Sequence, residues 1–377
     1  MSTLHDALAP HVAPDRTPGV VALVGRGSEV EFTTLGSVDV EGSAPMARDT
    51  IFRIASITKP ITAAAVMLLV EDRRIALDDP VGTWLPEIAS PMVVRTPSSP
   101  VEDAVPAARA ITVFDLLTSR AGWGFPSDFS LPAVGLLFSE LGQGPPQPQA
   151  IAAPDDWMRA LSKIPLLHQP GEAWLYNACS DILGVLIARV SGQSFPDFLA
   201  ERIFVPLGMV DTGFFVPADQ LHRFTSLYTT EEDGPSLRDA PDGQWSTPPA
   251  FPSGTGGLVS TIDDWLTFGR VLLADGRDLL TPESVRQMTT DYLTPAQREG
   301  GALFLEGQGW GFGGTVDVAP VDPWNVDGRY GWVGGTGTTA HIVPSTGMIS
   351  IMLSQVEMGG PAPLDLMRDF WAYAAGV

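Results

Sequence analysis

Residues 56–69 read SITKPITAAAVMLL, and they hold the Ser-x-x-Lys pattern around which the rest of the sequence can be interpreted. Because proline is tolerated in the first turn of a helix, Pro60 predicts a helix that begins close to Ser56. Residues three apart on a helix share a face, so the Ser56 hydroxyl and the Lys59 amine can meet. An adjacent lysine can make a serine hydroxyl nucleophilic, and a helix N-terminus favours an anion formed nearby.

The Ser-x-x-Lys pattern is short, and it also fits a serine that caps a helix beside a solvated lysine. Lys59 is one of two lysines in the whole chain, and the other is Lys163. In a chain with 20 arginines and two lysines, a lysine three residues after a serine favours a specific role. Further motifs are needed to decide between the two interpretations.

Length, charge and cysteine content limit the classes of protein to which the chain can belong. The 377 residues, 44% of them hydrophobic, suffice for a large core in one or two domains of a soluble globular protein. A formal net charge of −22 disfavours nucleic acids and anionic membranes as partners, since both bind basic patches. Cys179 is the only cysteine, so no disulfide can form within the chain.

The sequence carries no recognisable export, membrane or metal-binding signal. Its first residues have neither a basic nor a long apolar segment, and no run reaches the roughly 20 apolar residues that cross a bilayer. We therefore expect a cytoplasmic protein. No His-Glu-x-x-His or paired-cysteine pattern is present, and the sequence predicts neither a metal site nor a cofactor.

Apolar runs and turn residues predict strands at both ends of the chain and helices between them. Residues 19–25 and 29–36 predict a hairpin, and the helical pattern of residues 77–242 is interrupted by prolines. Later helices and strands are predicted over residues 262–273, 331–333, 338–343, 349–355 and 363–375. This layout is typical of an α+β fold, with an antiparallel sheet flanked by helices and an inserted, mainly helical region.

The same pattern predicts how the chain is divided. We assign residues 1–76 and 250–377 to the sheet region, which carries the Ser56 helix and the C-terminal strands. Residues 77–249 form the mainly helical region, which carries Tyr176. The irregular stretches 90–110 and 142–149 read as surface loops.

Two more motifs, far apart in the sequence, join Ser56 and Lys59 in one constellation. Residues 174–181 read WLYNACSD and place Tyr176 just before a predicted helix, and residues 330–339 read YGWVGGTGTT on a predicted strand. The three motifs, in this order and these settings, resemble those of the serine β-lactamase and penicillin-binding-protein superfamily. The chain looks like a class C β-lactamase-like serine hydrolase and is most similar to the family VIII carboxylesterases.

This resemblance implies a role for each motif residue. Ser56 would be the nucleophile that forms an acyl-enzyme, and buried Lys59, with a lowered pKa, would assist removal of its proton. Tyr176 would act as general base on Ser56 and then as acid toward the leaving alcohol. A phenol, with an ordinary pKa of about 10, can do this at neutral pH if the Lys59 cation favours its phenolate or if the proton moves in concert. The backbone N–H groups of Ser56 and Gly335 would form the oxyanion hole.

Two departures from the β-lactamase pattern bear on the substrate. Ala178 stands where β-lactamases of this kind have the asparagine of Tyr-x-Asn, although Asn177 lies next door. The C-terminal strand reads Trp332-Val333-Gly334 instead of Lys-Thr-Gly. Losing that lysine and threonine removes groups that help to hold a substrate carboxylate and adds apolar surface. Both departures favour a neutral ester over a β-lactam acid.

The expected substrate-binding residues follow from these motifs. They are Trp332, Val333, Gly334, Asn177 and Trp123. Gly334 and Gly335 would let the substrate carbonyl approach the strand closely. Further pocket walls are expected from residues 143–149 and Trp310.

The sequence therefore predicts a serine carboxylesterase that hydrolyses small to medium, short-chain esters through an acyl-enzyme on Ser56. A β-lactamase, a D-amino-acid peptidase or amidase, and an acyltransferase could use the same site. A non-catalytic binding protein on this fold is the alternative from another class, although it would be expected to have lost one of Ser56, Lys59 or Tyr176. No Gly-x-Ser-x-Gly motif supports an α/β-hydrolase. The oligomeric state is left open.

Overall fold

The computed structural model describes residues 3–144, 147–231 and 234–376. Its strands are β1 Gly19–Arg26, β2 Glu29–Gly36, β3 Phe52–Arg53, β4 Met92–Val94, β5 Ala104–Pro106, β6 Leu227–Glu231, β7 Gly234–Asp239, β8 Val259–Ser260, β9 Gly309–Trp310, β10 Thr315–Val316, β11 Tyr330–Gly334, β12 Thr338–Val343 and β13 Met348–Ser354. Its α-helices are α1 Leu4–Leu8, α2 Lys59–Glu71, α3 Val113–Leu117, α4 Pro132–Leu141, α5 Pro154–Leu161, α6 Ala178–Ser191, α7 Phe195–Leu199, α8 Val205–Leu207, α9 Ile262–Leu273, α10 Pro282–Met288, α11 Pro295–Gly300, α12 Ala302–Leu305 and α13 Asp365–Ala375.

One antiparallel sheet joins the two ends of the chain. Within the described residues it has seven strands in the order β2-β1-β13-β12-β11-β10-β9. The N-terminal hairpin pairs Gly19 with Gly36, and β1 also pairs with β13 near the C-terminus. The predicted α+β architecture with an antiparallel sheet is confirmed.

Both faces of the sheet are covered, which explains the continuous apolar run in β1. Val21 and Leu23 face the large core that includes α2 and α6. Val20 and Val24 alternate with them and face a second core built with α1 and α13. Because successive strand residues point to opposite faces, a strand buried on both sides must be apolar throughout.

Residues 77–249, which were predicted to be mainly helical, contain more β-structure than expected. Helices α3 to α8 lie there, together with the hairpins β4–β5 and β6–β7. These strands are short and contain Pro106 and Pro235, so they lack the alternating pattern that would reveal them. The first hairpin lies within the 90–110 stretch that reads as a loop. The division into 1–76 plus 250–377 and 77–249 remains a prediction.

The packing of α2 against α6 places the functional motifs together. Ser56 lies in a 3₁₀ turn over Ala55–Thr58 that leads directly into α2, with Pro60 in its first turn as predicted. Tyr176 precedes α6, and α2 and α6 are in contact. Across the described residues, no helix is long and apolar enough to span a membrane.

Candidate active site

The turn that carries Ser56 is fixed against the β11–β12 hairpin. Ala55 has a φ of 44°, a left-handed conformation that is uncommon for a residue with a side chain. The Thr338 hydroxyl donates to the Ile54 carbonyl at 2.9 Å, and the Thr336 hydroxyl donates to the carbonyl of Arg53. These bonds hold Ser56 beside the strand end that carries Gly335.

Lys59 is buried directly beneath Ser56. Its Nζ lies 2.8 Å from Ser56 Oγ and 3.2 Å from Tyr176 Oη, and it donates to the Thr255 carbonyl at 3.0 Å. Only 1% of the lysine is exposed, and burial lowers its pKa to about 7 because the charged form loses its hydration. Asp181 offsets part of this by its negative charge. Burial therefore favours the neutral amine at Lys59, which can accept a proton.

Tyr176 completes a triangle with Ser56 and Lys59. Its Oη lies 2.9 Å from Ser56 Oγ, and two backbone hydrogen bonds with Phe125 fix the segment. Burial raises the pKa of Tyr176 to about 12, although hydrogen bonds with Ser56 and Trp332 oppose the shift. A neutral phenol beside a neutral amine disfavours the cation-assisted phenolate and favours a concerted transfer of the proton.

Trp332 contributes a polar contact that the sequence did not suggest. Its Nε1–H donates to Tyr176 Oη at 2.8 Å, so the indole orients the phenol as well as forming a wall. Trp310 does not line the cavity, contrary to expectation. It is fully buried behind Trp332 and packs edge-on against that indole at 4.9 Å.

Ser56, Tyr176 and Trp332 open onto a cavity of about 370 Å³. Val333, Asn177 and Gly335 also line it. Much of the remaining wall is aromatic, which the sequence did not reveal: Phe125, Phe129, Phe138, Trp157, Phe251 and Phe304. Of the described residues, the charged ones that line the cavity are Asp181 and Glu357, so no cationic side chain is present to hold a carboxylate.

The 143–149 loop reaches the cavity, but Trp123 does not. Gln143, Gly144, Gln147 and Pro148 form part of the wall, whereas Pro145 and Pro146 lie outside the described residues. Trp123 is 1% exposed, and its indole N–H donates to the Ile164 carbonyl at 2.9 Å. The flanking glycines 122 and 124 have φ values of 106° and 140° and turn the indole into the core. The predicted role of Trp123 in the acyl pocket is therefore wrong.

Gly334 and Gly335 have different surroundings. A Cβ on Gly334 would lie 2.1 Å from Thr338 Oγ1 and 2.5 Å from the Ile54 carbonyl, so this glycine permits close packing and does not line the cavity. A Cβ on Gly335 would meet no heavy atom within 4 Å. The predicted open approach for a substrate carbonyl therefore fits Gly335 alone.

This contrast predicts different outcomes for two alanine substitutions. We expect Gly334→Ala to destabilise the fold by about 1–3 kcal/mol. Strand β11 and the turn that carries Ser56 would have to move apart to admit the methyl group. Gly335→Ala should unfold at the parent temperature, since its methyl group enters open space. Thermal unfolding followed by circular dichroism measures both, and equal stability of the two variants would contradict this view.

Polar residues behind Lys59 form a network that sequence reasoning missed. Asn177 Nδ2 donates to Gln143 Oε1 at 2.7 Å, and Gln143 Nε2 donates to Asp181 Oδ2 at 2.7 Å. Asn177 adopts a φ of 91° and a ψ of −76°, a strained conformation of the kind found at functional sites. The available signal was Asp181 itself, because a carboxylate within an apolar helix requires buried partners.

Comparison with known proteins agrees with this geometry. A family model described as Beta-lactamase matches residues 4–370. The chain belongs to the Beta-lactamase family. This confirms the predicted resemblance to serine hydrolases of the β-lactamase and penicillin-binding-protein fold.

The proteins similar to this chain include an esterase. Protein Rv1367c of Mycobacterium tuberculosis is 37% identical over 353 residues, which are 89% of this chain and 85% of that protein. Esterase EstB of Burkholderia gladioli is 30% identical over 383 residues, 95% of this chain and 91% of EstB. The solved structure of EstCE1, described as a hydrolase with promiscuous acyltransferase activity, superposes with a TM-score of 0.80 at 23% identity. That match covers 98% of this chain and 97% of EstCE1.

Proposed function

We propose that this β-lactamase-family chain is a serine carboxylesterase of the family VIII type, which hydrolyses neutral esters through an acyl-enzyme on Ser56. The observation that carries the proposal is the position of Ser56 Oγ, 2.8 Å from a buried amine and 2.9 Å from a phenol at the edge of an apolar cavity. The similarity to Esterase EstB supports the choice of an ester substrate.

The first half of the reaction acylates Ser56. Neutral Lys59 accepts the Ser56 proton, directly or through Tyr176, while Oγ bonds to the ester carbonyl carbon. The N–H groups of Ser56 and Gly335 stabilise the resulting oxyanion. When the carbonyl re-forms, the carbon–oxygen bond to the alcohol breaks, and Tyr176 passes a proton to the leaving oxygen.

The second half releases the acid. Water gives its proton to the same Lys59–Tyr176 pair as its oxygen attacks the acyl carbon, and the proton returns to Ser56 Oγ when the ester bond breaks. Acyl transfer would differ only in that an alcohol or amine replaces water. A binding protein without catalysis would have no need for a serine, a neutral amine and a phenol in mutual contact.

The cavity wall supports an uncharged substrate. Trp332 occupies the strand position of the β-lactamase lysine, and its N–H is engaged by Tyr176. Asp181 and Glu357 would repel a substrate carboxylate, whereas the aromatic wall favours apolar acyl or alcohol groups. This distribution of charge favours esters over β-lactams, which carry a carboxylate.

A direct comparison of substrates tests the proposal. The purified protein is incubated with p-nitrophenyl acetate, p-nitrophenyl butyrate and a chromogenic cephalosporin. We expect rapid ester turnover and slow or no cephalosporin turnover. Strong cephalosporin turnover, or no ester turnover, would overturn it.

Ester hydrolysis should depend on pH through Lys59. Below its pKa the amine is protonated and cannot accept the Ser56 proton, so kcat/KM should rise with pH and level off above the pKa of about 7. The measurement is kcat/KM for p-nitrophenyl butyrate between about pH 5 and pH 9. A profile that is flat through neutral pH would contradict the role of Lys59 as proton acceptor.

A further inference from the structure

A chain of buried polar groups leads from Lys59 to a carboxylate that the proposed reaction does not use. Lys59 Nζ lies 3.4 Å from Asn177 Oδ1, Asn177 donates to Gln143, and Gln143 donates to Asp181 Oδ2. Gln143 is 8% exposed and Asp181 3% exposed. Asn177 is half-buried, and all three residues border the cavity, so these hydrogen bonds lie between the core and the active site.

Asp181 also reaches Lys59 by a second route. Its Oδ1 accepts the Thr255 N–H at 3.1 Å and the Ser253 hydroxyl at 2.6 Å. The carbonyl of the same Thr255 accepts from Lys59 Nζ at 3.0 Å. Both the Asn177 and the Thr255 acceptors of the amine are thus held by one carboxylate.

The carboxylate fixes the direction of every bond in the first route. Both carboxylate oxygens of Asp181 accept hydrogen bonds, so Gln143 turns its NH₂ toward Asp181 and its oxygen toward Asn177. Asn177 must then turn its NH₂ toward Gln143 and its oxygen toward Lys59. A neutral amine has two N–H groups and one lone pair. With N–H groups directed at Asn177 and Thr255, the lone pair is left for the side of the amine that faces the hydroxyls of Ser56, at 2.8 Å, and Tyr176, at 3.2 Å.

We propose that Asp181 is a positioning residue that sets the direction in which the Lys59 amine presents its lone pair to the Ser56–Tyr176 pair. The inference rests on the proposed function for the use made of that lone pair. The arrangement itself rests on the hydrogen bonds alone.

The charges around Lys59 leave Asp181 as its principal electrostatic partner. Tyr176 and Cys179 also belong to this region, but burial raises the pKa of each to about 12, so both stay neutral at ordinary pH. Glu357 is the other acid on the cavity wall. Burial lowers the pKa of Lys59, and the negative charge of Asp181 opposes this effect. The charge thereby keeps the lysine pKa from falling further.

The hydrogen bonds from Lys59 through Asn177 and Gln143 to Asp181 form a relay. The substitution Asp181→Asn should reverse the direction of these bonds. Ser253 and Thr255 still require an acceptor, so the new NH₂ must face Gln143. Gln143 and then Asn177 must turn their amides, and Asn177 would present an N–H to Lys59. That N–H competes with Ser56 for the lone pair, so we expect kcat to fall roughly 100-fold.

Because the chain has only two lysines, the pKa of Lys59 can be measured by NMR without an activity assay. Protein labelled with ¹³C at the lysine ε-carbons should give one signal from Lys59 and one from Lys163, and Lys163→Arg assigns them. Titration of the Lys59 signal gives its pKa directly. We expect Asp181→Asn to lower this pKa by about one unit or more, because an opposite charge is lost.

Two further variants separate the relay from a general effect on folding. Gln143→Met cuts the first route but keeps the carboxylate, so kcat should fall while the pKa of Lys59 moves less than in Asp181→Asn. Asp264→Asn makes the same change at another buried carboxylate near a helix start, outside the cavity, and should change neither quantity.

The outcomes decide the relay independently of the esterase. An unchanged Lys59 pKa with parental kcat in Asp181→Asn overturns the relay, even if esters are hydrolysed. A fall in kcat in folded Gln143→Met, which keeps the carboxylate, supports the positioning role on whichever substrate the protein hydrolyses. If that variant fails to fold, Gln143→Met decides, and parental kcat in it overturns the inference.

Discussion

Replacement of Ser56 by alanine should reduce kcat/KM for p-nitrophenyl esters by about 10⁴-fold or more, to a level set by binding alone. The loss should be this large because the hydroxyls of the nearby Ser253 and Thr255 are not free to replace that of Ser56. Ser253 Oγ donates to Asp181 at 2.6 Å, and Thr255 Oγ1 donates to the Asn177 carbonyl at 3.0 Å, so both hydroxyls are engaged. The fold should be unaffected, since only one oxygen is removed.

Covalent labelling makes this prediction more specific. A phosphate triester with a p-nitrophenyl leaving group should add one phosphoryl group to the parent protein, on Ser56, and none to Ser56→Ala. Ser162→Ala, at an exposed serine after α5, should keep parental activity and labelling. A label on another residue, or substantial turnover by Ser56→Ala, would remove Ser56 from the proposed mechanism.

Replacement of Lys59 by methionine should reduce kcat by about 10²- to 10⁴-fold and remove the pH dependence near neutrality. Methionine has an unbranched, flexible side chain that suits a buried position, so the loss should come from the missing amine and not from a cavity. Ser56 would keep Tyr176 at 2.9 Å, but burial raises the pKa of that phenol to about 12, so it is a poor base alone.

Lys163→Met is the matched control, because it removes the other lysine of the chain, which is exposed. It should retain the parental kcat and pH profile. If Lys59→Met kept a rise in activity around pH 7, another group would have to be the proton acceptor. Full activity in Lys59→Met would contradict the proposed mechanism altogether.

Elements with clear apolar patterns and sharp ends were predictable from sequence. Helix 262–273 and strand 338–343 have the expected bounds, because capping and turn residues flank continuous apolar segments. Strands β9 and β10 were missed, since each has two residues and exists only through pairing with the sheet. Such short strands have no pattern of their own.

The contacts of the site were predictable only where one helix turn determines them. The Ser56–Lys59 pair follows from local geometry, and Tyr176 was placed with them through the family resemblance. The function of Asp181 could not be derived in this way, because residues 143, 253 and 255 contribute its partners. Trp123 was misplaced because its direction depends on two glycine conformations and not on its distance from other motifs.

The nucleophile, the phenol and the indole come from three distant parts of the chain. Tyr176 is 120 residues from Ser56, and Trp332 is 156 residues from Tyr176. Contacts of such high sequence separation carry a large loop-closure cost and slow folding, whereas local helices form quickly. During refolding, the recovery of activity should therefore lag behind the recovery of helical signal.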